Sequence, residues 1–236
     1  MYWSDFERPT YAESIALMER IRQRVIAGDC DGAVLAIEYP PTITLGRSAS
    51  PLDVLLSESA QQAQGVTVVR SDRGGGVTVH APGQLVVYPI LDLRALKVRT
   101  RDFVCGLATI TIETLAELGI NAASWDAEHP GVWIEGRKIA SIGLHVTRGV
   151  TSHGLSLNVR PQHESFSWIV ACHMPGMTVT SIEENGGDLL ALKEMASRWI
   201  ARLGDRYRLQ IEWLPRNRFI DEIIGESVDN GARLNH

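Results

Sequence analysis

Two residues of this chain are best suited to covalent chemistry: a cysteine in a turn-like segment and a lysine in an apolar strand. Cys172 precedes a Pro-Gly pair, and a thiol at a turn becomes a nucleophile where cations or backbone N–H groups lower its pKa. Lys138 begins a mostly apolar run. It is either an edge residue with its amine in water or a buried cation beside a nucleophile. His173 adjoins the cysteine, but neighbours in an extended chain point to opposite sides, which argues against it as the base.

Two other strings have the composition of a ligand site. Arg73-Gly-Gly-Gly-Val-Thr-Val-His80 places three glycines between predicted strands, either as a ligand-cradling loop or as a flexible hairpin. It is neither a Walker A loop nor a dinucleotide fingerprint, because no helix is predicted to follow. In Thr151-Ser-His-Gly-Leu-Ser-Leu-Asn158, Gly154 indicates close approach of a backbone or a ligand. His153 is typical of a hydrogen-bonded structural histidine. No spacing typical of a metal site occurs, so we expect no metal.

The elements that must position these residues follow from apolar periodicity and turn signals. A capping box at Thr10 to Glu13 predicts the start of the first helix. The predicted helices are Tyr11–Ala27, Pro51–Gln64, Arg101–Leu118 and Asp188–Leu203; the predicted strands are Ala33–Tyr39, Thr42–Gly46, Val66–Arg70, Val77–His80, Leu85–Leu91, Gly131–Ile134, Lys138–Val146, Thr151–Val159 and Tyr207–Leu214. Because strands come in runs with helices between the runs, we expect one α+β domain whose mixed β-sheet has flanking helices, with or without a small C-terminal lobe.

Composition limits the classes of function. The 236 residues are 44% hydrophobic and 22% charged, as in a soluble globular protein with its own core. Three cysteines, no secretory signal and no 18-residue apolar stretch favour a cytoplasmic protein without a membrane partner. The net charge of −5 argues against nucleic acid. Residues 131–160 carry four basic side chains against one acidic. That stretch either steers an acidic protein partner or forms a solvated strand face.

Five strings in order resemble the lipoyl(octanoyl) transferases, the LipB family. Lys138 lies 34 positions before Cys172, and the resemblance runs from about Tyr11 to about Leu203. The strings are Glu38-Tyr-Pro-Pro-Thr-Ile-Thr-Leu-Gly-Arg47, Arg73-Gly-Gly-Gly-Val-Thr-Val-His-Ala-Pro-Gly-Gln-Leu-Val-Val-Tyr-Pro89, Gly131-Val-Trp-Ile134 with Lys138-Ile-Ala-Ser-Ile-Gly143, Thr151-Ser-His-Gly-Leu-Ser-Leu-Asn158, and Cys172.

The resemblance implies a single octanoyltransferase domain over residues 1–236, with the lipoate/biotin protein ligase fold and no cofactor. It implies octanoyl transfer from acyl carrier protein to a lysine of lipoyl domains, in the E2 subunits of 2-oxoacid dehydrogenases and in the glycine cleavage H protein. Cys172 would be the thioester nucleophile, and Lys138 would lower its pKa and move protons. The implied acyl site consists of Arg73, Gly74, Gly75, Gly76, Val77, Thr78, Val79, His80, Ser141, Ile142, Gly143, Gly154, Leu155 and Ser156.

Some positions depart from the family pattern, and three other functions stay open. Gly76 stands where glutamine is common, Val79 where tyrosine is common, and Ala81 where glycine is common, while Ala171-Cys172-His173 replaces Pro-Cys-Gly. An ATP-dependent lipoate-protein ligase on the same fold would require ATP. A non-catalytic binder of carrier or lipoyl domains would bind without turnover. A relay amidotransferase between lipoyl domains would prefer a different donor.

Overall fold

The computed structural model describes residues 1–126, 128–161, 163–170 and 176–225. Within these ranges the chain forms eleven strands and five α-helices. The strands are β1 (Tyr2–Glu7), β2 (Ala33–Glu38), β3 (Thr42–Leu45), β4 (Thr67–Arg70), β5 (Val77–His80), β6 (Gln84–Ile90), β7 (Ala123–Asp126), β8 (Gly131–Ile134), β9 (Arg137–Thr147), β10 (Val150–Asn158) and β11 (Glu212–Trp213). The helices are α1 (Tyr11–Ala27), α2 (Glu58–Ala63), α3 (Thr100–Glu117), α4 (Leu192–Tyr207) and α5 (Arg216–Ile224).

The main sheet has eight strands in the order β11-β1-β2-β6-β10-β9-β8-β7. It is mixed, because β1 runs parallel to both β2 and β11 while the pairs from β2 to β7 are antiparallel. Side chains alternate across it: Val87 of β6 joins the core that holds α3 and α4, and Val86 joins the core that holds α1 and α5. The central strands are thus buried on both faces, which explains their continuous apolar runs.

A second sheet of three strands, in the order β4-β3-β5, has its own small core. Its register pairs Thr42 with His80 across the antiparallel strands β3 and β5. The glycine cluster of residues 74–76 connects β4 to β5, and the Gly74 N–H donates to the Leu144 carbonyl of β9 at 3.0 Å. The small sheet is thereby fastened to the main sheet where the functional candidates lie.

The predicted α+β class with a mixed sheet and flanking helices is confirmed. The capping box is also confirmed: Thr10 accepts from the Glu13 N–H, and the Glu13 carboxylate accepts from Thr10. The helix then ends at Gly28, whose φ of 84° lies in the left-handed region that glycine adopts without strain. In the described part of the chain, no helix combines the length and the apolar character that crossing a bilayer requires.

Three predicted elements were wrong in extent. Pro51–Gln64 divides into a 3-10 turn at Pro51–Asp53 and helix α2, because Ser50 and Ser57 each cap a separate start. Helix α4 begins at Leu192 instead of Asp188, whose N–H is bonded to the Leu118 carbonyl. Of the strand predicted over Tyr207–Leu214, only Glu212–Trp213 is extended, because α4 continues to Tyr207.

Three elements were missed: β1, β7 and α5. Helix α5 lies in the polar tail, and its described part packs on the main sheet instead of forming the separate C-terminal lobe that sequence analysis left open. The Phe219 ring of α5 meets the Phe6 ring of β1 edge-on at 6.0 Å between centroids. This helix therefore covers the main sheet beside α1. Its apolar residues, which are isolated in the sequence, belong to the hydrophobic core on that side of the sheet.

Candidate functional site

A cavity of about 390 Å³ lies between the glycine cluster, the β9–β10 hairpin and the start of α3. This volume is within the range of small-molecule sites. Its wall includes every described residue of the predicted site except Val79. The other residues of the wall, which sequence analysis did not single out as site residues, are Ser48, Val86, Tyr88, Thr100, Val104, Glu128, His129, Pro130, Leu144 and His153.

Two predicted site residues need separate comment. Val79 is fully buried in the core of the small sheet with Ile43 and Val77. Thr78 and His80, its neighbours in β5, lie on the other face of the strand and line the cavity, as does Val77 at the end of the strand next to the glycine cluster. Cys172 belongs to residues 171–175, which lie outside the described residues.

Lys138 is a buried cation and not a solvent-facing edge residue. Only 2% of its surface is exposed, and its Nζ lies 4.6 Å from the centroid of the Trp133 ring in the neighbouring strand. Gly131 leaves room for this side chain, since a Cβ there would lie 2.7 Å from Lys138 Cε. The burial and the aromatic face together hold the amine at the cavity wall.

The main chain of Lys138 connects it to the segment that follows Cys172. Its N–H donates to the Thr178 carbonyl at 3.0 Å, and its carbonyl accepts from the Thr180 N–H at 2.9 Å. On the other side of residues 171–175, the Val170 N–H donates to the Asp53 carbonyl at 2.7 Å. Both ends of the short segment that contains Cys172 are therefore anchored, and one end is anchored to Lys138 itself.

Arg73 braces the glycine cluster through its side chain. Its Nε donates to Thr44 Oγ1 at 3.0 Å, one terminal nitrogen donates to the Thr44 carbonyl at 2.7 Å, and the other donates to the Gly74 carbonyl at 3.0 Å. These bonds join the cluster to β3. Arg73 thus gives the cluster a defined backbone, so the cluster is an ordered wall of the cavity and not only a flexible hairpin.

His80 ends a buried chain of polar side chains. Gln84 Nε2 donates to Asn158 Oδ1 at 3.0 Å, so Gln84 Oε1 faces His80 Nδ1 at 2.7 Å and Nδ1 carries the proton. Asn158 Nδ2 donates to the carbonyl of Thr180 at 3.0 Å. Burial lowers the pKa of His80 to about 4, against the effect of the Gln84 bond. The ring is therefore neutral near pH 7, with Nε2 unprotonated.

A carboxylate that sequence analysis missed bridges two histidines at the cavity. Asp72 Oδ1 accepts from His153 Nε2 at 2.6 Å, and Asp72 Oδ2 lies 2.5 Å from His145 Nδ1. The bond from His153 is the main reason that the pKa of Asp72 lies far below its usual range. Burial lowers the pKa of His153. His153 is hydrogen-bonded as its sequence context indicated, and the available signal for Asp72 was its position next to Arg73.

Gly154 is close to a neighbouring backbone, as its place in the string predicted. A Cβ there would overlap the Val87 carbonyl of β6 and lie 2.8 Å from Pro89 Cδ. The absence of a side chain brings β10 close to β6, and the cavity wall at residues 154–156 follows from that approach. The other two cysteines, Cys30 and Cys105, are half-buried free thiols away from this wall.

Comparison with known proteins places this site in a family context. A family model described as the lipoyl protein ligase A/B catalytic domain matches residues 10–204. The chain is 32% identical over 228 residues to an octanoyltransferase of Caldicellulosiruptor saccharolyticus, covering 96% of this chain and 97% of that protein. It is 43% identical over 186 residues to an octanoyltransferase of Chloroflexus aurantiacus, covering 78% and 83%.

A solved structure agrees at the level of the fold. The structure of a lipoate-protein ligase A bound with ATP superposes with a TM-score of 0.70, covering 97% of this chain and 94% of that chain at 12% identity. At that identity the likeness shows the fold alone. The lipoate protein ligase fold implied by the sequence strings is therefore confirmed.

Replacing Gly131 by alanine is expected to displace the Lys138 side chain, because the new methyl group would lie 2.7 Å from its Cε as well as 2.6 Å from the backbone oxygen of Ala140. The cost in folding stability should be about 1–3 kcal/mol from overpacking. The NMR signals of the Lys138 methylenes should lose the shift that the Trp133 ring imposes. Gly136→Ala, in the turn of the same hairpin with nothing within 4 Å, should lose stability but keep that shift. Retention of the shift in Gly131→Ala would contradict this placement.

His80 should make the folded protein sensitive to acid. Its pKa of about 4 lies below the ordinary value of about 6.5, so the unfolded chain takes up the proton first as the pH falls. The free energy of unfolding should decline from pH 6.5 toward pH 4, by up to about 3 kcal/mol from this group. Urea unfolding of wild type and His80→Asn across this range measures it. Parallel pH profiles for the two proteins would refute the assignment.

Proposed function

This chain belongs to the lipoyl protein ligase A/B catalytic domain family, among its octanoyltransferases, and on that premise we propose that it transfers octanoyl groups through a thioester at Cys172. The donor is octanoyl-acyl carrier protein. The acceptor is a lysine of lipoyl domains, as in the E2 subunits of 2-oxoacid dehydrogenases and the glycine cleavage H protein. The reaction is the first step of protein lipoylation from endogenous octanoate.

One observation carries the proposal. The buried Lys138 lines the cavity, and its main chain is hydrogen-bonded to Thr178 and Thr180. Thr178 is only six residues after Cys172 in the chain. Six residues span at most about 20 Å, so the Cys172 thiol is within reach of the Lys138 amine. An ammonium group close to a thiol favours the thiolate, which is the attacking form.

The first half-reaction follows from this pair. The Cys172 thiolate attacks the carrier thioester, a new carbon–sulfur bond forms, and the bond to the carrier sulfur breaks. Lys138 gives its proton to the departing carrier sulfur and becomes a neutral amine. Backbone N–H groups beside the site are candidates to stabilise the tetrahedral oxyanion. Because one thioester is exchanged for another, this step requires no ATP.

The second half-reaction returns the proton. The amine of the target lysine attacks the Cys172 thioester, an amide bond forms, and the Cys172 thiolate leaves. The neutral Lys138 amine accepts the proton that the attacking nitrogen releases, and the starting ion pair is restored. One side chain thus serves as acid in the first step and as base in the second.

The cavity supplies the binding of the acyl chain. Apolar side chains such as Val77, Val86 and Val104 line it together with the backbone of the glycine cluster. An eight-carbon chain gains about 5 kcal/mol on burial at roughly 0.8 kcal/mol per CH₂. We propose that residues 1–236 act as one catalytic domain. We propose that the reaction takes place in the reducing cytoplasm, because a cysteine nucleophile must stay a free thiol.

Incubation with octanoyl-acyl carrier protein, without ATP, should add one octanoyl group to Cys172, and hydroxylamine should remove it. A Cys30→Ser/Cys105→Ser double variant should acquire the same adduct, whereas Cys172→Ala should acquire none and should not transfer octanoate. Mass spectrometry of the digested protein locates the adduct. Transfer at the wild-type rate by Cys172→Ala would exclude the mechanism, and a strict requirement for ATP would favour a ligase.

Lys138→Ala should slow both half-reactions at least about 100-fold, because a positioned acid or base contributes about 10²–10⁴-fold. Single-turnover measurements separate acylation by the carrier from transfer to a lipoyl domain. Lys193→Ala is the matched control, since this exposed lysine of α4 lies over the Trp213 ring away from the cavity. Wild-type rates in Lys138→Ala, or an equal loss in both variants, would refute the role of Lys138.

A further inference from the structure

A surface of exposed basic side chains borders the cavity on the side of α3. We call it the basic rim. It consists of Arg94, Lys97, Arg99, Arg101 and Arg148. The acidic residues in the same segments are Asp92 and Asp102, so the rim has five positive charges against two negative ones. The whole chain, in contrast, has a net charge of −5.

The rim differs from the basic stretch visible in the sequence. Residues 131–160 do not form one face, because Arg137 begins β9 and Arg148 lies in the turn after its last residue, about 35 Å away for eleven extended residues. Arg148 instead meets the loop between β6 and α3. The Leu93 N–H donates to the Gly149 carbonyl at 2.9 Å, and a side chain at position 149 would collide with Arg94.

The rim and the cavity share a boundary. Thr100 and Val104 of α3 line the cavity, and Arg99 and Arg101 flank Thr100 in the chain. On the hairpin side, the cavity residue Leu144 lies three residues before Thr147, about 10 Å along the strand from the turn that holds Arg148. A protein that rests on the rim therefore sits over one wall of the cavity.

The positive charges are available to a partner. Arg94 and Arg99 pair with Asp92 and Asp102 but stay 62% and 85% exposed. Lys97, Arg101 and Arg148 are exposed, and within the described ranges they form no ion pair.

Apart from the pair of Arg99 with Asp102, the arginines at the start of α3 are unfavourably placed for the helix. They meet the positive end of the helix dipole there, which disfavours a positive charge. Their position is better explained by the attraction of an acidic partner protein.

We propose that the basic rim docks an acidic face of the protein that delivers the octanoyl group. This inference rests on the proposed function and adds where its donor binds. The donor must bring an acyl chain into the cavity. It therefore has to approach the part of the cavity wall that contains Thr100 and Leu144, which the rim borders. The acceptor contributes only a lysine amine to the Cys172 thioester. Opposite charges across such an interface speed encounter and fix orientation, and salt weakens both effects.

The test reverses two charges of the rim and two charges elsewhere. Arg101→Glu/Arg148→Asp alters a helical residue and a residue with a φ of 52°. Arg208→Asp/Arg218→Glu is matched, because Arg218 is helical and Arg208 has a φ of 56°. The dissociation constant of acyl carrier protein is measured by fluorescence anisotropy at low and physiological ionic strength. The rim variant should bind at least tenfold more weakly and lose most of the salt dependence, while the control binds like wild type.

A second measurement separates the donor from the acceptor. Acylation by carrier should fall at least tenfold more in the rim variant than acylation by the small uncharged thioester S-octanoyl-N-acetylcysteamine. Unchanged carrier binding, an equal loss in the control variant, or a loss confined to the step that uses the lipoyl domain would each overturn the docking proposal. Normal carrier docking without an adduct on Cys172 would leave the rim in place and refute the proposed function alone.

Discussion

The arrangement of the site depends on holding a lysine ammonium inside a β-sheet. Taking a charge out of water is costly, and a buried amine persists only where neighbouring groups compensate for the lost hydration. Here Gly131 provides the space, Trp133 provides an aromatic face at 4.6 Å, and the main chain on either side is tied to Thr178 and Thr180. Because the same hydrogen bonds fix the segment after Cys172, the position of the amine and the path of the chain near the proposed nucleophile are set together.

The cavity follows from the meeting of two sheets. The small sheet brings the glycine cluster and His80, while the main sheet brings Lys138 and the β9–β10 hairpin. Arg73 ties the cluster to β3, and Asp72 ties the same loop to His145 and His153. These bonds fix the backbone of the glycine cluster, which lines the cavity together with larger side chains such as Arg73 and His153. The charged rim outside α3 complements this apolar interior with a surface suited to a protein partner.

Much of this arrangement could be predicted from the sequence. Apolar runs identified the central strands, and the strings around Arg73, Lys138 and Gly154 identified the cavity wall. Asp72 could not be found in this way, since its two histidine partners lie 73 and 81 positions away. Val79 does not line the cavity because it packs in the core of the small sheet with Ile43, a contact between strands that the string itself does not reveal. Helix α5 was missed because its few apolar residues show their role only in the folded protein, where Phe219 packs against Phe6 of β1.

The most direct test of the central claim is the ionisation of the Cys172 thiol with and without the lysine amine. The rate of alkylation by iodoacetamide is followed against pH in a Cys30→Ser/Cys105→Ser background, with Lys138 either present or replaced by methionine. If the amine stabilises the thiolate, the titration should lie below the ordinary thiol pKa of about 8.5 with Lys138 and should move up toward that value with methionine. Identical titrations in the two proteins would contradict the account.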